Sequence, residues 1–285
     1  MKSLRNKTIN LPPEECGAYL LRCLRPAGPL TAEACRDKVI CGDFFRVSGK
    51  LPDGAFRLLI ADPPYNLRKD YAGEVFTEKS AEEYLAFTRR WLTECKRLLT
   101  ADASIYVCCD WRSSLLIGSV LPEFFTVRNR ITWQREKGRG AKKNWKNCME
   151  DIWFCTVSDD YIFDLDAVKQ VRRVKAPYRE NGENKDWEET AEGKIRRTCP
   201  SNFWDDITVP FWSMAENTAH PTQKPEKLMA KLILASSDPG DTVFDPFCGA
   251  GTAAVVAKKL GRHYLGIEQN KSYCAWAEAR LTQAE

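Results

Sequence analysis

The feature that most constrains the fold is a succession of strand, glycine-rich turn, helix and strand between residues 242 and 268. Residues 242–244 are predicted to form the first strand, residues 245–252 (Asp-Pro-Phe-Cys-Gly-Ala-Gly-Thr) the turn, and residues 262–267 the second strand. Two parallel strands need a crossover connection, which is usually a helix. The pattern therefore predicts a parallel pair of strands with a turn at the carboxyl end of the first one.

The same alternation extends over much of the chain. Residues 57–61 and 104–109 are apolar runs of the kind that is buried on both faces of a sheet. Between them, Ser80 and Glu83 fit a capping box at the start of a helix that runs to about residue 99. Strands that alternate with helices indicate an α/β fold with a doubly wound, mostly parallel sheet.

The pattern changes between about residues 135 and 215, where regular periodicity fades. Basic residues cluster there, with tryptophans interleaved between them. Long stretches without regular periodicity inside a compact domain are usually functional loops or insertions. We therefore expect an inserted irregular region between two parts of the α/β domain.

Composition excludes several classes of protein. The chain has no run of 18 apolar residues and no apolar stretch after its basic N-terminus, so we expect no membrane span and no secretory signal. Its twelve cysteines are scattered without a Cys-x-x-Cys pair, so we expect reduced thiols, a cytoplasmic location and no metal site. The net charge of +4 permits a nucleic-acid partner but does not by itself indicate one.

The glycine turn is suited to bind a nucleoside. Gly249 and Gly251 let a ligand approach the backbone, and the helix that starts at the turn offers unpaired N–H groups. Glu268 ends the next strand, where its carboxylate can accept hydrogen bonds from two ribose hydroxyls. The turn alone does not distinguish a nicotinamide dinucleotide from S-adenosylmethionine, and it is also compatible with a packed turn that holds no ligand.

The tetrapeptide Asp62-Pro63-Pro64-Tyr65 follows the predicted strand 57–61, at the edge of the sheet where ligands of open α/β folds bind. The two prolines stiffen the loop, which presents the Asp62 carboxylate and the Pro63 carbonyl as acceptors beside the ring of Tyr65. Two acceptors and one ring suit an exocyclic amine on a base that has left the duplex stack. A simple strand terminator is the alternative for the tetrapeptide taken alone.

Both ends together resemble the β class of DNA amino-methyltransferases, in which a catalytic motif precedes the recognition region and the cofactor motif comes last. The order here is residues 62–65, then the basic region, then residues 245–252. Three shorter segments are also similar to the family: Gly42-Asp43, residues 220–226 and residues 261–268. The resemblance implies the fold of S-adenosylmethionine-dependent methyltransferases and methyl transfer to N6 of adenine.

The similarity covers residues 38–158 and 217–282. In the glycine turn, Cys248 and Ala250 replace the residues that are usual in the family, but both are small and are expected to fit. It implies a division of the chain into four parts: a helical N-terminal preface (1–35), a catalytic half (36–158), a target-recognition region (159–215, with basic loops from about residue 135) and a cofactor-binding half (216–285).

The resemblance also implies a role for each matching residue. The catalytic residues that would hold the target amine and stack on its base are Asp62, Pro63, Pro64 and Tyr65. The residues that would contact S-adenosyl-L-methionine are Asp43, Thr222, Lys224, Asp245, Phe247, Gly249, Gly251, Thr252 and Glu268. Among these, Thr222 and Lys224 are expected to meet the cofactor carboxylate, Glu268 the ribose hydroxyls and Asp43 the adenine amine.

The basic region supplies the candidates for contact with double-stranded DNA. Lysine and arginine neutralise phosphates and position a duplex, so we expect this role for Arg135, Arg139, Lys142 and Lys143. A solvated charged face is the alternative for any one of them. The resemblance leaves open a homodimer and a cognate restriction endonuclease.

Three other functions remain open from the sequence. The same fold can serve N4 of cytosine or an amine on RNA, although aspartate at position 62 favours adenine in this family. A nicotinamide-dependent oxidoreductase would explain the glycine turn and Glu268 but not residues 62–65. A DNA-binding protein with an inactive site would not need an intact Asp62 and Tyr65.

Overall fold

The fold is taken from a computed structural model, which describes residues 5–71, 74–135, 142–175, 177–191 and 193–284. The α-helices in these ranges are α1 Pro13–Leu20, α2 Ala32–Cys35, α3 Phe44–Val47, α4 Ala81–Leu98, α5 Trp111–Val120, α6 Glu226–Ser236, α7 Thr252–Lys259 and α8 Lys271–Gln283. The strands are β1 Lys38–Cys41, β2 Phe56–Ala61, β3 Lys69–Tyr71, β4 Glu74–Phe76, β5 Leu99–Asp110, β6 Thr126–Gln134, β7 Met149–Thr156, β8 Gln170–Arg173, β9 Arg179–Glu180, β10 Glu183–Asn184, β11 Glu188–Thr190, β12 Gly193–Thr198, β13 Phe203–Trp204, β14 Thr242–Asp245 and β15 His263–Glu268.

The central sheet has the strand order β1-β15-β14-β2-β5-β7-β6-β13. Neighbouring strands are parallel except at β7, which runs antiparallel to both β5 and β6. The predicted doubly wound, mostly parallel sheet is confirmed. The chain order reverses between β14 and β2, because β14 leads to β15 on one side and β2 leads to β5 on the other. Ligands of such sheets bind in the crevice at the carboxyl ends of the strands that flank this reversal.

The core consists of two layers, one on each face of the sheet. In β2, Leu58 and Ile60 pack into the layer formed with α6, α7 and α8, while Leu59 and Ala61 pack into the layer formed with α4 and α5. Successive side chains of a strand point to opposite faces. A strand covered on both faces therefore has no exposed position at its centre, which explains the apolar run at residues 58–61.

The helix α4 begins where the sequence predicted it. Ser80 and Glu83 form the expected capping box, in which each side chain accepts from the backbone N–H of the other residue. Trp91, Leu92 and Cys95 on its inner face are fully buried against the sheet. Within the described ranges, no helix is both long and apolar enough to cross a membrane.

The inserted region has more regular structure than we expected. An antiparallel three-stranded sheet is formed by β8, β12 and β11, and β9 pairs with β10 in a two-stranded ribbon. Most side chains on these strands are exposed or half-buried, so the strands lack the apolar alternation by which a half-buried strand is recognised. The short strand β13 leaves the insertion and joins the central sheet beside β6.

Candidate active site

A cavity of about 270 Å³ lies at the carboxyl ends of β1, β15, β14 and β2. It spans the reversal of chain order between β14 and β2, the position expected for a ligand site in this kind of sheet. Most of the residues that we predicted for catalysis and cofactor binding line it: Asp43, Asp62, Pro63, Pro64, Tyr65, Thr222, Lys224, Asp245, Phe247, Gly249, Thr252 and Glu268. Segments that are far apart in the sequence therefore form one site.

The loop after β2 is held in place by hydrogen bonds from neighbouring elements. The Tyr84 hydroxyl of α4 donates to the Pro64 carbonyl at 2.9 Å. The Asn66 backbone N–H donates to the Ser113 hydroxyl of α5 at 3.0 Å, and the Asn66 side chain bonds to the backbone of Lys79 in both directions. Two prolines and these bonds together fix the direction in which Asp62 and Tyr65 face the cavity.

A buried group of charges lies directly behind this loop. The Lys224 ammonium is 2.6 Å from Asp62 Oδ2, 2.9 Å from the Tyr65 hydroxyl and 3.4 Å from Glu150 Oε2. The Tyr65 hydroxyl also lies 2.9 Å from Asp62 Oδ1 and 3.3 Å from Glu150 Oε2. Burial lowers the pKa of Lys224, but the charges of Asp62 and Glu150 outweigh it, so the pKa is raised and the ammonium stays charged.

Two of our predicted contacts involve residues of this group. Lys224 lines the cavity and its ammonium contacts Asp62 and Glu150, so its contact with a cofactor carboxylate stays a prediction. The Arg135 guanidinium donates to Glu150 Oε1 and its side chain is 29% exposed, so its contact with a DNA phosphate stays a prediction as well. Of the other DNA candidates, Lys142 and Lys143 are exposed, and Arg139 lies outside the described residues.

Gly249 and Gly251 of the turn are each restricted to glycine, but by different neighbouring side chains. Gly249 and Gly251 both have positive φ, +50° and +74°, which disfavours other residues. A Cβ on Gly249 would lie 3.0 Å from His220 Nε2, on the cavity side. A Cβ on Gly251 would lie 2.7 Å from the Cβ of Ala277, so this glycine allows α7 to pack closely on α8. Gly251 does not line the cavity, and its contact with the cofactor stays a prediction.

Glu268 and Asp43 stand at the ends of the adjacent strands β15 and β1. Glu268 accepts backbone N–H bonds from Gly249 at 2.9 Å and Asn270 at 2.7 Å, while Asp43 accepts from Arg46 at 3.1 Å as the N-cap of α3. An ionised carboxylate has about four acceptor positions. These bonds therefore orient both acids at the cavity wall.

Asp245 is the acid with the most perturbed titration among these cavity residues. Burial raises its pKa to about 8, and the charges of Asp62 and Glu268 add to the shift, against a hydrogen bond from the Phe247 backbone N–H at 3.0 Å. At neutral pH the group is therefore mostly protonated. A cation bound beside it would stabilise the ionised form.

Sequence reasoning missed Glu150, which is buried next to Lys224. It lies near the amino end of β7, and β7 is antiparallel to β5, so this amino end meets the carboxyl edge of the parallel strands. The available signal was a pair of acids, Glu150 and Asp151, at the start of a strand that is mostly apolar after them. That signal could not be interpreted without knowing the direction of β7.

In this doubly wound α/β fold, an acidic Pro-Pro loop and a glycine turn share one cavity at the reversal of the sheet. A family model described as DNA methylase, of the N6/N4 type, matches residues 56–279. The chain therefore belongs to the N6/N4 family of DNA methylases, as the motifs predicted.

Individual relatives agree with this assignment. The chain is 34% identical over 247 residues to the type II methyltransferase M.HpaI of Haemophilus parainfluenzae, covering 86% of this chain and 74% of the relative. It is 33% identical over 254 residues to the DNA adenine methyltransferase YhdJ of Escherichia coli K12, covering 86% and 83%. The solved PvuII cytosine-N4-specific DNA methyltransferase has the same fold, with a TM-score of 0.64 at 16% identity over 91% and 93% of the two chains.

Proposed function

We propose that this chain transfers the methyl group of S-adenosyl-L-methionine to N6 of adenine in double-stranded DNA. The observation that carries the proposal is that the Asp62–Tyr65 loop and the glycine turn open into one cavity. A donor bound at the turn is then within reach of an amine held at the loop. The relative YhdJ, whose name states adenine as its target, supports the choice of base.

The described residues fit S-adenosylmethionine, which supplies an electrophilic methyl group on a sulfonium when bound. Glu268 and Asp43, held by backbone N–H groups, would accept from ribose hydroxyls and from the adenine amine. Asp245 would face the cationic part of the ligand, since its neighbours already make a positive partner favourable. Phe247, packed edge-on to Trp91 at 5.7 Å, would form an apolar wall.

The loop after β2 would act on the target base. The Asp62 carboxylate and the Pro63 carbonyl accept hydrogen bonds from the amine, which keeps the nitrogen lone pair directed at the methyl group. Tyr65 stacks on the base and replaces the stacking lost on flipping. Holding both reactants in line removes most of the entropic part of the barrier, a contribution on the order of 7–11 kcal/mol.

The exposed basic side chains would contact the duplex. Lys142 and Lys143 are exposed, and Trp145 beside them is 93% exposed. Cations on such a surface neutralise phosphates. We extend the proposal to a cytoplasmic enzyme that acts as a homodimer and has a cognate endonuclease, the last because M.HpaI and M.BglII are named type II methyltransferases.

The test is to incubate purified protein with unmethylated DNA and labelled S-adenosylmethionine, digest the DNA, and identify the labelled nucleoside by mass spectrometry. We expect N6-methyladenine, and sequencing of modified sites gives the recognition sequence. N4-methylcytosine alone would overturn the choice of base while keeping the enzyme class. No labelled nucleoside, with an intact fold by circular dichroism, would overturn the activity.

A further inference from the structure

Glu150 is a buried acid that the reaction as described so far does not use. It is 3% exposed and does not line the cavity, so it cannot touch the base or the cofactor from its position. Its two carboxylate oxygens nevertheless have separate cationic partners. Oε1 accepts from the Arg135 guanidinium, and Oε2 lies 3.4 Å from the Lys224 ammonium.

The Lys224 ammonium lies between three oxygen atoms. It donates to Asp62 Oδ2 at 2.6 Å and to the Tyr65 hydroxyl at 2.9 Å, and Glu150 Oε2 lies 3.4 Å away as its partner in an ion pair. Two of these atoms belong to the loop that we assign to the target base. The third belongs to Glu150, whose charge therefore helps to hold the ammonium where it contacts Asp62 and Tyr65.

The charges in this group are balanced in pairs. Asp62 and Glu150 carry the negative charges, and Lys224 and Arg135 carry the positive charges. A buried charge without a partner is strongly unfavourable, whereas a paired one is tolerated. Without the Glu150 charge, Lys224 would keep Asp62 as its ion-pair partner, and Arg135 would lose its partner in this group.

We propose that Glu150 is a positioning residue for methyl transfer: it orients the charged Lys224 so that Asp62 and Tyr65 are held in place for the target amine. This inference rests on the proposed function, because it assigns Asp62 and Tyr65 to the substrate base. Arg135 completes the arrangement by compensating the second charge of the pair of acids.

The experiment compares the wild-type enzyme with Glu150→Gln, which keeps the shape and removes the charge. We expect kcat to fall by about 10²-fold because the loop is misplaced, with KM for S-adenosylmethionine within twofold of wild type. Glu123→Gln, an exposed acid paired with Arg89, is the control and is expected to keep wild-type kinetics.

A second variant covers the case in which Glu150→Gln does not fold. Glu150→Asp keeps the charge but withdraws it from Lys224, so we expect a smaller loss of kcat, about tenfold, again with KM for S-adenosylmethionine within twofold of wild type. Wild-type kcat in the folded variants would overturn this inference alone. Absence of methyl transfer by the wild-type protein would overturn the proposed function and, with it, this inference.

Discussion

The charges around the cavity and the charges of the inserted region behave differently. At the cavity, Lys224 and Glu150 have side chains that are each only 4% exposed, and they lie within a group of mutually paired residues. In the insertion, Arg197 and Glu188 form a pair whose side chains are 61% and 53% exposed. Charges interact strongly and keep fixed positions when water is excluded, and weakly when it is not. The first set suits precise chemistry, and the second suits contact with a variable polyanion.

The largest effect on the rate of methyl transfer is expected at Asp62, because this member of the cavity charges is also proposed to contact the target amine. Asp62→Asn removes the charged acceptor while keeping the size of the side chain, and we expect transfer of labelled methyl to fall by about 10²–10⁴-fold. Asp53→Asn removes an exposed acid paired with Arg97 and is expected to leave the rate unchanged. Equal rates of methyl transfer for both variants would show that the Asp62 carboxylate does not act in the reaction.

Stability measurements compare the two regions directly. Lys224→Met leaves the buried Glu150 and the half-buried Asp62 without their shared cation, and removing one partner of a buried pair costs about 3–5 kcal/mol. Glu188→Gln breaks an exposed pair and is expected to cost less than about 1 kcal/mol. Urea unfolding of both variants measures the difference. Similar losses would mean that the cavity charges are solvated, contrary to their burial.

The raised pKa of Asp245 gives a further test of how burial affects the charges at the cavity. Its pKa of about 8 means that the folded apo protein keeps a proton between about pH 4 and 8 that the unfolded chain has released. Stability therefore falls as pH rises through this window. Binding of the cationic cofactor needs the ionised acid, so we expect affinity to increase by about tenfold per pH unit up to about pH 8.

Calorimetric titration in buffers of different ionisation enthalpy checks this expectation, because binding below pH 8 should release a proton. Asp245→Asn should remove both the proton release and the pH dependence of affinity. A pH-independent affinity in the wild-type protein would contradict the expectation.

The smallest effects are expected at the exposed lysines. Lys142→Gln or Lys143→Gln should weaken DNA binding a few-fold for every sequence, and should reduce the slope of log K against log salt by about one. Lys96→Gln, at the end of α4 on the opposite edge of the sheet, is the matched control. An unchanged salt slope in both basic-region variants would remove these residues from the interface.

Much of the fold could be predicted because its signals are local. The apolar run of β2, the capping box of α4 and the glycine turn each depend on residues that are close in sequence. The strands of the insertion could not be predicted in the same way, since their exposed side chains carry no alternation. The direction of β7 was also inaccessible, because it depends on pairing with β5 and β6.

Periodicity, proline and glycine mark where strands end and turns begin, so the residues at the carboxyl edge of the sheet could be predicted from the sequence alone. It therefore predicted the Asp62–Tyr65 loop, the glycine turn and the family. The pairing of the charged side chains, in contrast, depends on the packed fold. Lys224 and Asp62 are 162 residues apart in the chain, and they are in contact because the sheet brings both to a largely buried site beside Glu150. Burial there makes the pairing of charges a requirement of the fold, and no local pattern reports it.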